Sequence, residues 1–384
     1  MASSLERVSE IYQDRGRRAR ELKANGQGVI GYLCSFAPVE LITAAGLLPF
    51  RFTGGGGDPI TEADVYLERI ACPYTRSILD LALKGKYDFA DGFVMPHSCD
   101  NVVNLYDVWA QAIDHLYAHF VNVPHTLSAA SVKFFGAELG VFKKSLEKFT
   151  GREITTEALR RAIELHNEQR ALVRELYELR KKRPSPLAAS EVTRIIVATM
   201  SLPVEEANDL LGGVIAEVAA REERGSGAAG GGPRLLVHGT GNDETTFMEI
   251  VEEVGAEVVV DDLCFGTRPY WYDVPVTEDP LEGLGRGYLE GVRCPRTFRQ
   301  SPGTHEEDLE NRFGHMWDLA REYGVSGAIL YIIRYCDTHA FDAPDLKEYL
   351  EGKGLPVLVL EEDYPVSSTA RLKTRVQAFS EVLS

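Results

Sequence analysis

Residues 28–53 read GVIGYLCSFAPVELITAAGLLPFRFT, and this stretch decides the fold. An apolar strand ends near Cys34, a short helix follows from Pro38 to Gly46, and a second strand, LLPFRF, comes straight after. Pro38 suits the first helical turn, where its missing N–H has no partner in any case, and Gly46 suits a left-handed cap. Further strands are expected at FADGFVM (89–95) and AHFVNVP (118–124), with a helix between them. Strands alternating with helices in this way predict a parallel α/β sheet.

Working outward, residues 1–27 read as a charged N-terminal helix and residues 28–126 as the first α/β domain. From 127 to 223 the pattern changes. EALRRAIELHNEQRALVRELYELRKK (157–182) spaces its apolar residues helically, and SEVTRIIVATM and VEEANDLLGGVIAEVAAREE continue that spacing. This helical segment is expected to attach to the first domain. RGSGAAGGGP (224–233) reads as a Gly-rich linker. Strand and helix signals then resume over 234–384, with strands at RLLVHGT, AEVVVDDLCF, GAILYIIRYCD and LPVLVLEED. The expected architecture is two similar Rossmann/flavodoxin-like parallel-sheet domains with an added helical segment.

The 384-residue chain is 44% hydrophobic and 26% charged, an ordinary globular composition. A formal charge of −17 argues against nucleic acid as a partner, because a phosphate backbone would be repelled. No run approaches the roughly 18 apolar residues of a membrane helix, and the charged start lacks the apolar centre of a signal peptide. The expected address is cytoplasmic.

Six cysteines are spread three and three: Cys34, Cys72 and Cys99, then Cys264, Cys294 and Cys336. ACPYTR (71–76) is echoed by RCPRTF (293–298), and SCDN (98–101) by YCDT (335–338). Cys34 and Cys264 each close a strand. Ligands bind beyond the carboxyl ends of strands in open parallel sheets, so the six thiols are expected to converge between two domains. No CxxC pair is present for a zinc ribbon. Iron–sulfur clusters accept distant cysteines held by a rigid fold. Six thiolates cannot complete two four-cysteine cubanes, which leaves one iron of each open to a non-thiolate ligand and points toward substrate chemistry.

GYLCSFAPVELITAAGLLPFR, ERIACPYTRSILDLALKGKYDFADGFVMPHSCDN and YIIRYCDTHAFDAPDLKEYLEGKGLPVLVLEED resemble the benzoyl-CoA reductase and 2-hydroxyacyl-CoA dehydratase family (D type) over nearly the whole chain. The resemblance implies two similar α/β domains around an oxygen-sensitive cluster, served by an ATP-hydrolysing iron–sulfur activator that injects low-potential electrons. Three ligands of the dehydratase proteins match Cys72, Cys99 and Cys336. The further set Cys34, Cys264 and Cys294 is similar to the double-cubane cluster proteins of the family, in which six cysteines of one chain hold two 4Fe–4S cubanes joined by a sulfide, in a homodimer. The implied function is an iron–sulfur reductase acting on a small substrate. The alternatives are one component of a heteromeric 2-hydroxyacyl-CoA dehydratase or acyl-CoA reductase with a single 4Fe–4S cluster, and a non-catalytic electron carrier.

Around the cysteines, His97 and His339 are candidate proton donors, with ordinary supporting hydrogen bonds as the plainer role. Asp100 and Asp337 are expected to cap helices. Tyr74, Arg76, Arg293 and Arg296 flank the Cys-Pro turns, where the arginines would offset cluster charge. TGGGGD (53–58) lacks the Lys-Ser/Thr of a phosphate loop and reads as a turn, and HGTGNDE (238–244) is a weak anion-site signal.

Overall fold

The computed structural model describes residues 2–57, 59–223, 231–241, 243–299, 301, 303–364, 366 and 369–384. Helices α1 (Ser4–Gln13) and α2 (Gly16–Ala24) lead into β1 (Val29–Tyr32), α3 (Val39–Ala44) and β2 (Leu48–Arg51). Next come α4 (Pro73–Leu83), β3 (Gly92–Pro96), α5 (Asp100–Ala112) and β4 (Tyr117–Val121). The N-terminal segment is therefore two helices, broken at Asp14 and Arg15, where a single one was expected. Pro38 stands at the N-cap of α3, one residue earlier than its expected place inside the first turn. Gly46 takes φ +77°, the left-handed conformation that ends α3.

Four helices follow: α6 (Ala129–Thr150), α7 (Thr156–Leu179), α8 (Ala189–Thr199) and α9 (Val204–Glu223). The expected linker lies mostly outside the described residues. The second α/β unit runs β5 (Arg234–Gly239), α10 (Thr246–Glu253), β6 (Glu257–Asp262), α11 (Pro280–Arg286), α12 (His305–Glu322), β7 (Gly327–Ile333), α13 (Asp337–Gly352), β8 (Val357–Glu362) and α14 (Thr369–Leu383). A single π turn, Gly287–Gly291, extends α11.

The chain is α/β, with two four-stranded, all-parallel sheets ordered β2-β1-β3-β4 and β6-β5-β7-β8. The two orders are the same when each sheet is numbered from its own first strand. Strands β1, β2, β3, β5 and β7 are buried along their whole length. That is why they read as continuous apolar runs, since helices cover both faces of a parallel sheet. Gly31 in β1 is needed for close approach: a Cβ there would lie 1.8 Å from the Phe52 ring.

One apolar core runs through both sheets, from Phe50, Phe52 and Phe93 to Leu236, Val260 and Ile329. A second fills the space between α3, β4, α6 and α11, around Phe36, Phe135, Phe142 and Leu284. The helical segment touches both units. Helix α7 packs on α3, α6 packs on α11, and α8 packs on α10 and β6. Among the described residues no helix is long and apolar enough to cross a membrane.

A buried ion pair ties these parts together. Arg170 on α7 donates to Glu40 on α3 at 2.6 Å, with the two side chains 4% and 0% exposed. The Tyr288 hydroxyl, from the π turn of the second unit, donates to the other oxygen of Glu40 at 2.7 Å. Burial alone would raise the Glu40 carboxyl, but Arg170 beside it prevails and holds it below the usual range. The pair's contribution is therefore present above the ordinary glutamate pKa and is lost as pH falls below it. Glu40→Gln is expected to lower unfolding free energy by about 3–5 kcal/mol at neutral pH, because Arg170 is left as an uncompensated buried charge. Urea unfolding at neutral pH and at about pH 3.5 measures it, and the gap between variant and wild type should narrow in acid. A neutral-pH loss under about 1 kcal/mol would exclude this role for the pair.

Candidate functional site

Because all strands of a sheet run the same way, their carboxyl ends share one edge, and each cysteine sits at or just beyond that edge. Cys34 lies two residues past β1 in a left-handed conformation, φ +68°. Cys72, Cys99 and Cys336 occupy the N-cap positions of α4, α5 and α13. Cys264 lies two residues past β6, and Cys294 follows the π turn. All six line one open pocket, and all six are free thiols.

The match between the two halves holds for two cysteine pairs and fails for the third. Cys99 and Cys336 both follow the third strand of their sheets, and Cys72 and Cys294 both lie between the second and third strands. Cys34, however, follows the first strand of its sheet, while Cys264 follows the second. The positions after β2 and β5 carry Thr53 and Thr240, two threonines with buried, unpartnered hydroxyls. A further correction concerns Asp100 and Asp337. These are the first helical residues of α5 and α13, and the N-caps are the cysteines, which make no side-chain cap bond. The aspartates instead favour the helix starts through charge.

Burial raises four of the thiols, those of Cys72, Cys99, Cys294 and Cys336. Cys99 is pushed up to about 12, with backbone N–H donation from Val102 opposing the rise and the charges of Cys72 and Cys34 adding to it. Cys294 also reaches about 12, with Arg268 pulling it down and Cys264 and Cys34 pushing it up. Cys72 and Cys336 are raised for the same leading reason, and Cys336 then feels Cys72, Cys99 and Cys264. The thiol charges thus act on one another across the pocket: Cys72 on Cys99 and Cys336, and Cys264 and Cys34 on Cys294. Cys34 also acts on Cys99, and Cys264 on Cys336.

Three buried arginines face the thiols. Arg268 donates from Nη1 to the Cys264 sulfur at 3.2 Å, and Arg51 and Arg296 line the same pocket. Arg268 is itself locked by Asp262, Nη2 to Oδ2 at 2.9 Å and Nε to Oδ1 at 3.2 Å. Burial would raise the Asp262 carboxyl, but Arg268 and His238 hold it far below the usual range. His238 Nδ1 meets Asp262 at 2.8 Å, and His339 Nδ1 meets His238 Nε2 at 3.1 Å. With His238 donating to the carboxylate, its Nε2 accepts from His339. Burial, then the charge of Arg268, keeps His339 neutral by lowering its pKa well below the usual value.

Of the two candidate histidines, His339 lines the thiol pocket and His97 does not. His97 packs edge-on against His125, centroids 4.5 Å apart, and beside Phe120. Tyr74 lines the pocket, whereas Arg76 turns away to Asp64 and the Arg69 carbonyl. Arg334 pairs at the surface with Glu361 and Asp363. Sequence reasoning missed Arg51, Arg268, Asp262 and His238. The adjacent acids Asp261 and Asp262 closing an apolar strand were a usable signal for Asp262, since a buried carboxylate needs a cation.

Five buried polar atoms on the pocket wall have no hydrogen-bond partner: Arg51 Nε, Tyr74 Oη, Ser98 Oγ, Thr240 Oγ1 and Arg296 Nε. Buried polar atoms of this kind are normally satisfied, and hydroxyls and guanidiniums donate to acceptors rich in negative charge. Among the described residues no three His, Cys, Asp or Glu side chains converge on one ion-sized point. The thiols are therefore spread around a space, unlike a tetrahedral zinc site. Such a donor set fits a polynuclear sulfide-bridged group better than a single ion.

The family profile described as 2-hydroxyglutaryl-CoA dehydratase, D-component, matches residues 34–383. A benzoyl-CoA reductase subunit from Thauera aromatica is 27% identical over 93% of this chain and 92% of its own. The (R)-phenyllactyl-CoA dehydratase beta subunit of Clostridium sporogenes is 24% identical over 95% and 94%. The beta subunit of (R)-2-hydroxyglutaryl-CoA dehydratase from Acidaminococcus fermentans is 26% identical over 94% of both chains.

Arg268 is the residue whose removal most directly tests the electrostatics of this wall. Arg268→Met is expected to destabilise the chain by about 3–5 kcal/mol near neutral pH, by stranding the Asp262 carboxylate. Because that carboxyl is depressed in the folded chain, the loss should diminish on acidification, when wild type gives up the same contribution. Denaturant melts across pH read this directly. A loss that does not change with pH would assign Arg268 a packing role only.

Proposed function

The chain belongs to the 2-hydroxyglutaryl-CoA dehydratase D-component family, and from that premise we propose that it is a cluster-bearing iron–sulfur reductase that uses all six cysteines. The observation that carries this reading is that all six thiols line one pocket. Cys72, Cys99 and Cys336 would hold one 4Fe–4S cubane, and Cys34, Cys264 and Cys294 a second, joined to the first through sulfide. The grouping follows the family resemblance of Cys72, Cys99 and Cys336. The charges of Cys72 on Cys99 and Cys336, and of Cys264 and Cys34 on Cys294, agree with it, while those of Cys34 on Cys99 and Cys264 on Cys336 cross it. When bound, such a group supplies low-potential electrons to a small substrate.

The chain's own residues would then act as follows. Arg51, Arg268 and Arg296 balance thiolate and sulfide charge, while Tyr74, Ser98 and Thr240 donate hydrogen bonds to sulfur. The N-termini of α4, α5 and α13 turn their backbone N–H groups toward the ligating thiolates. His339, neutral and donating from Nδ1 to His238, would present an unprotonated Nε2 able to accept a proton. Electrons would come from an ATP-hydrolysing iron–sulfur activator, and the chain would work as a homodimer.

A second reading has specific support: the relatives are named as subunits of dehydratases and reductases. In that case Cys72, Cys99 and Cys336 hold a single cubane, and a second chain of different sequence makes up the enzyme. Iron and acid-labile sulfide, counted per chain after purification without oxygen, separate the two readings. About eight irons with nine sulfides are expected, and about four irons would return the chain to the single-cubane reading. Cys264→Ala and Cys294→Ala should each lower the iron content, and unchanged iron in both would remove the second cubane. Turnover of a small substrate with activator and ATP distinguishes either enzyme from a passive carrier.

A further inference from the structure

Beside the thiol pocket lies a larger cavity, of about 460 Å³, that shares Cys294 and Arg296 with it. The segment RCPRTFR (293–299) forms one wall and brings three guanidinium side chains to this space. None of the three has a carboxylate partner among the described residues. Within the same residues, Arg293 makes no side-chain hydrogen bond or ion pair. Arg296 donates to the Pro124 and Val123 carbonyls, at 2.9 and 3.0 Å, and its buried Nε stays unpartnered. Arg299 donates to the carbonyls of Leu289, Glu290 and Val292. Burial, then the charge of Arg293, pushes Arg299 down to about 10.

The acids on the wall do not answer these charges. Asp262 is locked by Arg268 and His238, and Asp342 pairs with Arg312, which also holds Asp308 and Asp345. His315, on α12, adds two buried ring nitrogens without a partner. Phe298, Phe313 and Met316 make the rest of the wall apolar. A cluster of arginines without carboxylate partners stands out inside a chain of net charge −17. Guanidiniums match the planar fork of a carboxylate, and the apolar wall suits a short hydrocarbon body.

We infer that this cavity is the substrate's antechamber to the thiol pocket, and that its ligand is a small organic carboxylate held by Arg293 and His315, with Arg296 standing between the two spaces. The inference rests on the proposed redox role of the adjoining pocket for its meaning, but its binding chemistry stands on these residues. Cys294 then forms the threshold between the two spaces.

The test uses protein purified without oxygen, titrated calorimetrically with acetate, butyrate and benzoate, and with butyramide as the uncharged control. At least one carboxylate should bind, butyramide should bind about tenfold more weakly than butyrate or worse, and Arg293→Gln should weaken the carboxylate about tenfold. Arg293 is chosen because its side chain makes no bond within the fold, and His315→Leu provides a second, independent loss. Equal binding of butyrate and butyramide, no carboxylate binding, or indifference to Arg293→Gln would overturn the inference. So would coenzyme A displacing butyrate in an Arg293-dependent way, which would make the wall a phosphate site. Iron and sulfide are counted on the same preparation. A full cluster without carboxylate binding defeats this inference alone, and Arg293-dependent binding without iron defeats the cluster reading alone.

Discussion

Parallel strand pairing is the constraint from which the rest of the molecule follows. Every strand here must be re-entered through a crossover connection, so every strand ends at the same edge of its sheet. Residues that follow strands or begin helices are thereby gathered without being near one another in sequence. Cys34 and Cys264 arrive by the first route, and Cys72, Cys99 and Cys336 by the second. With two such sheets in one chain, thiols from both halves reach the same pocket although Cys34 and Cys336 stand near opposite ends of the sequence.

Convergence of this kind needs the two sheets held at a fixed offset, and the helical segment supplies the hold. Besides the Glu40–Arg170–Tyr288 contact, Tyr177 on α7 donates to Asp261 at the end of β6. Arg180 donates to the Val258 carbonyl. Arg234, the first residue of β5, returns the bond to the carbonyls of Arg180 and Lys182, each at 2.9 Å. These bonds are buried or nearly so, where a hydrogen bond to a charged group is worth about 1.5–3 kcal/mol. The segment that looked like an appendage of the first unit is bonded to both.

Periodicity and turn chemistry made most of the fold legible. The apolar runs at 29–32, 92–96, 234–239 and 327–333 are buried strands, and Gly46 ends its helix as a glycine with positive φ should. The exceptions have local causes. Residues 89–91 read as strand because Phe89 is apolar, yet its ring packs on Phe50 from the turn after α4. The two Cys-Asp pairs announced helix starts, but the side chain at the N-cap is a sulfur. An aspartate next to a helix start looks the same in sequence whether it stands at N-cap or one residue later. Arg268 and His238 were invisible for another reason. His238 meets Asp262 from the neighbouring strand, and the Arg268 side chain turns back six residues to the same carboxylate, so one-dimensional spacing does not encode which buried charges will meet.

Two backbone departures from local rules flank the thiol pocket. The two non-glycine residues with left-handed backbone among the described residues are Cys34, φ 68°, and Tyr335, φ 61°, which precedes Cys336. A non-glycine residue held there is strained by about 1–2 kcal/mol. Unpartnered polar atoms and buried guanidiniums stand on the same wall, each unpartnered atom costing about 1–3 kcal/mol if left so. A chain selected for stability alone would replace these residues with apolar ones of similar size. Their presence at the junction of the two sheets, while the strands beneath are packed with Val, Ile and Phe, is the mark of a functional site, where local rules give way to chemistry.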